Sequence, residues 1–343
     1  MEPCEELNLK SYGEINSKIE NDHNLQYYEE ISFDKIHTYS ASERTSKILT
    51  TLEAKPPFKG MSMSEFLSSL PNILKANDLK SIAQSIVTAK ENGKPVIVML
   101  GGHVIKTGCS PILIDLAKNG FITHFASNGS AAIHDTELAR LGHTSEDVAS
   151  HIADGSFGMA SDTAALVNSA AKRAGELKQG FGQTVGAMLI EENARFNDRA
   201  LLANAFILKI PYTLHIAIGT DIVHQHPDAD GASIGDASLR DFRIFAASVA
   251  KLGHGGVVLN LGSAVIMPEV FLKAIAVTRN LGYNVTYFTT ANFDMIQHYR
   301  PVVNVVNRPV MSGGKGFSIT GHHEIMIPLL AAAVYEMAHS NTP

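Results

Sequence analysis

No tryptophan occurs in the 343 residues, and cysteine is confined to Cys4 and Cys109. Two thiols so far apart in sequence make no Cys-x-x-Cys pair, which excludes a disulfide framework and a thiolate zinc centre. A reducing, cytoplasmic compartment is the expectation. Long apolar runs are missing too: none approaches the ~18 residues that a membrane span needs. The opening Met1-Glu2-Pro3-Cys4-Glu5-Glu6 is acidic where a secretory leader is basic. Nor is there an excess of cations. A net charge of −6, with both signs interspersed, offers no basic stripe to nucleic acid or to an anionic membrane. The phosphate-binding patterns Gly-x-Gly-x-x-Gly and Gly-x-x-x-x-Gly-Lys-Ser/Thr are absent as well.

What is present suffices for one large core, since 45% of the residues are hydrophobic. Residues 1–57 are polar, with little apolar periodicity, and read as a partly ordered arm in which Tyr27, Tyr28 and Phe33 are available for packing on a neighbouring subunit. Residues 58–343 read as a single α/β domain. The spacing of Phe66, Leu67, Leu70, Ile73 and Leu74, and then of Leu79, Ile82, Ile86 and Val87, predicts two amphipathic helices as an N-terminal helical extension. After them the pattern changes to short continuous apolar runs, as in strands covered on both faces. The strands are expected at residues 95–100, 121–126, 213–218, 256–260 and 284–289, with helices at 110–119, 200–207, 239–251 and 270–280. Alternation of this kind predicts a Rossmann-like, doubly wound, mostly parallel sheet with right-handed crossovers.

Functional residues concentrate where these strands end. Gly101-Gly102-His103, Ser127-Asn128-Gly129-Ser130 and Leu261-Gly262-Ser263 place glycine or small polar residues after strands, where backbone amides approach a ligand closely. These turns suit a nucleotide, and tight turns after strands are equally an ordinary need of the fold. The segment Gly219-Thr220-Asp221-Ile222-Val223-His224-Gln225-His226-Pro227-Asp228-Ala229-Asp230 puts two imidazoles and several carboxylates at a strand's carboxyl end, where open α/β sheets bind ligands.

In their order these segments resemble deoxyhypusine synthase and its homospermidine-forming relatives. His103-Val104-Ile105-Lys106-Thr107-Gly108 stands where that family has a Ser-Asn-hydrophobic-Ser-Ser-Gly turn, and Ser127-Asn128-Gly129-Ser130-Ala131 where it has Thr-Thr-Ala-Gly-Gly. His134-Asp135 replaces an acidic pair, and Gly219-Thr220-Asp221 is similar to a Thr-Asp-Gly turn followed by the catalytic histidine. Thr289-Thr290-Ala291-Asn292-Phe293-Asp294 is similar to Asn-Thr-Ala-Gln-Glu-Phe-Asp. The resemblance spans residues 78–336. It implies NAD as cofactor, a transferase on an amine substrate, and a homotetramer with sites at subunit interfaces. The departures are also specific: Asn307-Arg308-Pro309 stands where the family's Trp-Gly-Lys carries the imine-forming lysine, and an arginine stays protonated and cannot be that nucleophile.

From residues and resemblance together, the expected cofactor contacts are Gly102, His103, Thr107, Asn128, Gly129, Ser130, Gly219, Thr220, Gly262, Ser263, Thr290 and Ala291. His224 is the candidate proton acceptor, Asp221 its orienting partner, and Lys315 a candidate replacement for the missing lysine. His134, Asp135, His226 and Asp294 are candidate substrate contacts; Arg300 and Arg308 bring positive charge suited to a carboxylate or phosphate, or to structural ion pairs. The expected activity is NAD-dependent oxidation or group transfer on a small amine or alcohol, with true deoxyhypusine synthesis doubtful. Two other readings stay open: a metal-dependent hydrolase built on His224 and His226, with His322-His323-Glu324 supplying further ligands, and a nucleotide-binding protein without chemistry.

Overall fold

The computed structural model describes residues 28–340. Cys4, Tyr27 and the rest of residues 1–27 of the polar arm fall outside them. The chain divides into two units after Leu49. Within the first, Ser40 caps a short 3-10 turn, Ala41–Glu43, by accepting the Ser42 N–H.

The second unit opens with helices α1 (Met63–Ser69) and α2 (Leu74–Glu91). A reciprocal Ser62–Glu65 capping box starts α1. Then β1 (Val96–Leu100), α3 (Gly102–Lys106), α4 (Ser110–Lys118), β2 (His124–Asn128) and α5 (Gly129–Leu141) follow with short connections. Helices α6 (Ser161–Leu177), α7 (Phe181–Glu191) and α8 (Leu201–Leu208) lead to β3 (Tyr212–His215). The chain continues through α9 (Gly231–Val249), β4 (Val257–Leu261), α10 (Ile266–Asn280), β5 (Phe288–Asp294), β6 (Gly314–Thr320) and α11 (His323–Ser340).

All strand pairs are parallel and the order is β3-β2-β1-β4-β5-β6, the doubly wound order of dinucleotide-binding folds. The sheet separates two cores. Val96, Val98 and Leu100 of β1 face one of them, Ile97 and Met99 the other, which packs against Phe245 and Val249 of α9 and Phe271 and Ile275 of α10. Burial on both faces explains why these strands read as unbroken apolar runs.

Several strands differ from expectation: β2 begins at His124, three residues later than expected, and β3 ends at His215, three residues earlier. In the run at 284–289, residues 284–286 take no regular structure, Tyr287 bends the chain at φ +54, and the strand starts only at Phe288. β6 was not expected at all, since its glycines read as a loop. Pairing with β5 over Phe288↔Gly314 to Asp294↔Thr320 makes it a strand, and a Cβ at Gly316 would collide with the Val306 carbonyl. That glycine is therefore a packing requirement.

Candidate functional site

At the carboxyl edge the strand order reverses between β1 and β4, and the backbones that leave these strands nearly touch. The Gly101 N–H donates to the Leu261 carbonyl at 3.0 Å, and a methyl group on Gly101 would come within 2.6 Å of the Gly262 carbonyl oxygen. Gly262 takes φ +68, and its Cα lies directly against the His323 imidazole. Gly102 opens α3 facing Ser130 and His134, whose atoms a Cβ would meet at 2.8 and 3.0 Å. Ser263 accepts the Met267 N–H and starts α10. His323 is buried with Nδ1 unpartnered, 6.0 Å ring to ring from His103. Burial lowers its pKa, against the opposing influence of Asp294, which ends β5 and is itself buried. Asn260 also keeps an unpartnered carbonyl oxygen here, while its amide bonds Asn292. Bare backbone and unpaired polar atoms at a switch point fit a dinucleotide's pyrophosphate and ribose chemistry.

Beside this crevice, towards β3, lies a cavity of about 270 Å³ whose lining includes Lys106, Ser130, His134, Glu137, Thr220 and Asp221. Helix geometry brings Ser130, His134 and Glu137 to one face of α5. Asn128 caps that helix by accepting the Ala131 N–H and the Ser130 hydroxyl. Asp221 packs its carboxylate directly onto the Gly129 Cα, at the helix's N-terminus. Asp221 is 7% exposed, its Oδ2 has no partner among the described residues, and burial pushes the carboxyl up to about 6. Gly129 is thereby covered by Asp221 and is not open to a cofactor.

His224 and His226 are held in different ways. His224 Nδ1 accepts the backbone N–H of Gly219 at 3.1 Å and of Asp221 at 3.3 Å. A nitrogen that receives N–H bonds carries no hydrogen, so in the neutral ring Nε2 bears it and His224 presents a donor. Partial burial keeps it neutral by lowering its pKa. This corrects two expectations: His224 is not a free proton acceptor, and backbone amides, not the Asp221 carboxylate, orient it. His226 Nε2 donates to the Gly158 carbonyl at 2.8 Å and ties down the segment after α5, which removes it from substrate binding. The two imidazoles thus serve separate partners, and among the described residues no three His, Cys, Asp or Glu side chains form a ligand set.

Several other candidates lie elsewhere. Asp135 is fully buried and its two oxygens accept the Leu201 and Leu202 N–H groups at 2.9 and 2.8 Å, so it anchors the start of α8 and does not meet substrate. Burial raises its pKa to about 7 against those two bonds. Lys315 pairs with Thr289 near the amino end of the sheet, five residues before Thr320 ends β6, or about 17 Å at 3.3 Å per residue. That distance removes it from chemistry at the carboxyl edge. Thr290 and Ala291 are fully buried within β5, three to four residues before its end, and likewise miss the edge. Thr107 turns its hydroxyl back onto the His103 and Val104 carbonyls to close α3. Gly219 and Thr220 shape the loop after β3, Gly219 at φ +95 and Thr220 by bonding the Ala217 carbonyl. Arg300 pairs with Glu269 at 3.4 Å and Arg308 bonds Asn304 at 3.0 Å, both exposed and structural. Glu137, Lys106 and Thr144 are not among the candidates from the sequence; the spacing of three from His134 on one helix is a signal for Glu137 alone.

No family model matches the chain, and no curated protein does. Solved structures match at the level of fold. The ternary complex of AgrE with ornithine and NAD+ is 14% identical with a TM-score of 0.50, over 77% of this chain and 33% of that one, so the chain spans about a third of AgrE. A conserved putative LOR/SDH protein from Methanococcus maripaludis S2 is 18% identical with a TM-score of 0.49, over 77% and 71% of the two chains. A putative deoxyhypusine synthase from Entamoeba histolytica is 11% identical with a TM-score of 0.44, over 81% and 94%. What AgrE shares with this chain is the α/β Rossmann-like architecture.

Proposed function

We propose that the chain is an enzyme that binds NAD across the β1–β4 switch point and acts by oxidation or group transfer on a small amine or alcohol held in the neighbouring cavity. The observation that carries this reading is the close approach of Gly101 and Gly262 in a sheet of order β3-β2-β1-β4-β5-β6. AgrE, whose solved complex holds ornithine and NAD+, has the same architecture and supports the choice of cofactor. Gly101, Gly102, Gly262 and Ser263 would hold the dinucleotide, with His103 and Asn128 beside it. Bound there, it supplies a hydride acceptor. The cavity is too small for a dinucleotide, since sites for drug-sized ligands begin at about 300 Å³, so it is left for substrate. Within it Asp221 offers an unpartnered carboxylate oxygen to an ammonium or hydroxyl group, and burial strengthens that contact. Assembly as a homotetramer belongs to the same proposal and is read by light scattering.

Calorimetric titration with NAD tests the reading. Wild type is expected to bind in the micromolar range, and Gly101→Ala, which drives a methyl into the Gly262 carbonyl, to bind at least about tenfold more weakly while remaining folded. A wild-type protein that fails to bind NAD at millimolar concentration overturns it.

A further inference from the structure

The cavity contains an arrangement that neither the motifs nor the expected roles include. His134 Nδ1 lies 2.7 Å from the Thr144 hydroxyl oxygen, and that hydroxyl donates to Glu137 Oε2 in a very short hydrogen bond. The other Glu137 oxygen accepts the Thr163 hydroxyl at 3.4 Å. An ionised carboxylate only accepts, so Thr144 gives its one hydrogen to Glu137 and must receive the next from His134. The hydrogen of the neutral imidazole is thereby placed on Nδ1. Nε2 keeps its lone pair and has no hydrogen-bond partner among the described residues. The ring edge that carries it faces Gly102, whose missing Cβ would stand 3.0 Å from His134 Cδ2, and His134 lines the cavity together with Asp221.

Glu137, Thr144 and His134 therefore form a carboxylate–hydroxyl–imidazole chain ending in a free basic nitrogen, in a cavity that Asp221 also lines with a carboxylate oxygen that has no partner among the described residues. We propose that His134, and not His224, is the proton acceptor of this site, with Thr144 and Glu137 as positioning residues that set its tautomer and Asp221 as the group that holds the substrate's donor. In the step assigned to it, an N–H or O–H bond of the bound substrate breaks, the electron pair stays on nitrogen or oxygen, and the proton passes to His134 Nε2. The resulting imidazolium is stabilised through Thr144 by the Glu137 carboxylate, 4.0 Å from Nδ1. Burial, reinforced by nearby Lys106, holds the imidazole's pKa down to about 4, so the ring is neutral and ready to accept across the physiological range.

The inference rests on the reading of this edge as a catalytic site, but its test needs no cofactor. In protein labelled with nitrogen-15 histidine, the His134 ring, assigned by its loss in His134→Gln, is expected in the Nδ1–H tautomer at neutral pH. Thr144→Val should move it towards the Nε2–H tautomer, and Thr144→Ser should restore the wild-type state. In parallel, acylation of histidine by diethyl pyrocarbonate, mapped by peptide mass, should mark His134, and Thr144→Val should slow that reaction about tenfold, as loss of one hydrogen bond predicts. A protonated or Nε2–H ring in wild type, or an acylation rate indifferent to Thr144, overturns the proposal. Titration with NAD on the same samples separates the two readings: NAD binding with the wrong tautomer sinks only this inference, and the right tautomer without NAD binding sinks only the cofactor.

Discussion

Replacing Asp221 by Asn should make the protein more stable, and more so as pH rises. The carboxyl is 7% exposed, one oxygen has no partner, and its pKa stands at about 6 against an ordinary 3.8, with burial as the cause. The native state thus binds this proton more tightly than the unfolded chain, so the group's favourable contribution is present below pH 3.8 and is lost as pH rises through about 6. At 1.36 kcal/mol per pH unit, the displacement from 3.8 to about 6 amounts to about 3 kcal/mol above pH 7. Asparagine has the same shape and no charge to desolvate. Thermal unfolding of both proteins should therefore show Asp221→Asn gaining about 4–5 °C at pH 8 and little at pH 4. Taking the difference between the two proteins cancels the other titrating groups, among them His134, His124 and His215, whose pKa values burial lowers. An equal gain at both pH values would refute the reasoning, as would a loss at pH 8, which would mean that the carboxylate is satisfied in the fold. A carboxylate retained at such a cost is what functional sites contain and what stability alone would discard.

Two further substitutions separate structural from functional groups. Asp241, fully buried on α9, accepts the Phe181, Gly182 and Leu214 N–H groups at 2.9, 3.0 and 2.7 Å, joining α7 to β3. Asp241→Ala orphans three buried donors and is expected to cost about 3–5 kcal/mol, read as a fall in the denaturant midpoint; a change under about 1 kcal/mol would show that water replaces the carboxylate. Lys315→Ala, at the opposite edge from the crevice, should leave NAD affinity and any amine or alcohol oxidation within about twofold of wild type, and a loss of turnover at unchanged stability would return that lysine to the site.

Much of the frame is legible along the chain because it is written in local terms. Continuous apolar runs bounded by glycine announce strands buried on both faces, and β1 and β4 were read within a residue or two at each end. The glycine turns after them mark the carboxyl edge because only a residue without Cβ permits the approach seen between Gly101 and Gly262. β6 escaped because its strand character comes from pairing with β5 and from the Val306 backbone packed on Gly316, neither of which is a property of the segment itself.

The residue types at the site were likewise visible, but their roles were not. Asp135 and Asp221 are both buried carboxylates beside strand ends. One is saturated by two amides of a helix 66 and 67 residues away in sequence but adjacent in space, and the other is left with an unpartnered oxygen facing a cavity. His134, His224 and His226 are chemically identical in the sequence, yet their partners leave a lone pair on the first, an N–H on the second and a tethered ring on the third. Sequence by itself determined the fold class and the sheet edge at which the small-residue turns and ionisable groups gather, because hydrophobic periodicity and glycine geometry act over a few residues. Tertiary structure alone decided which ionisable group is free to act, because that depends on hydrogen-bond partners brought in from distant segments.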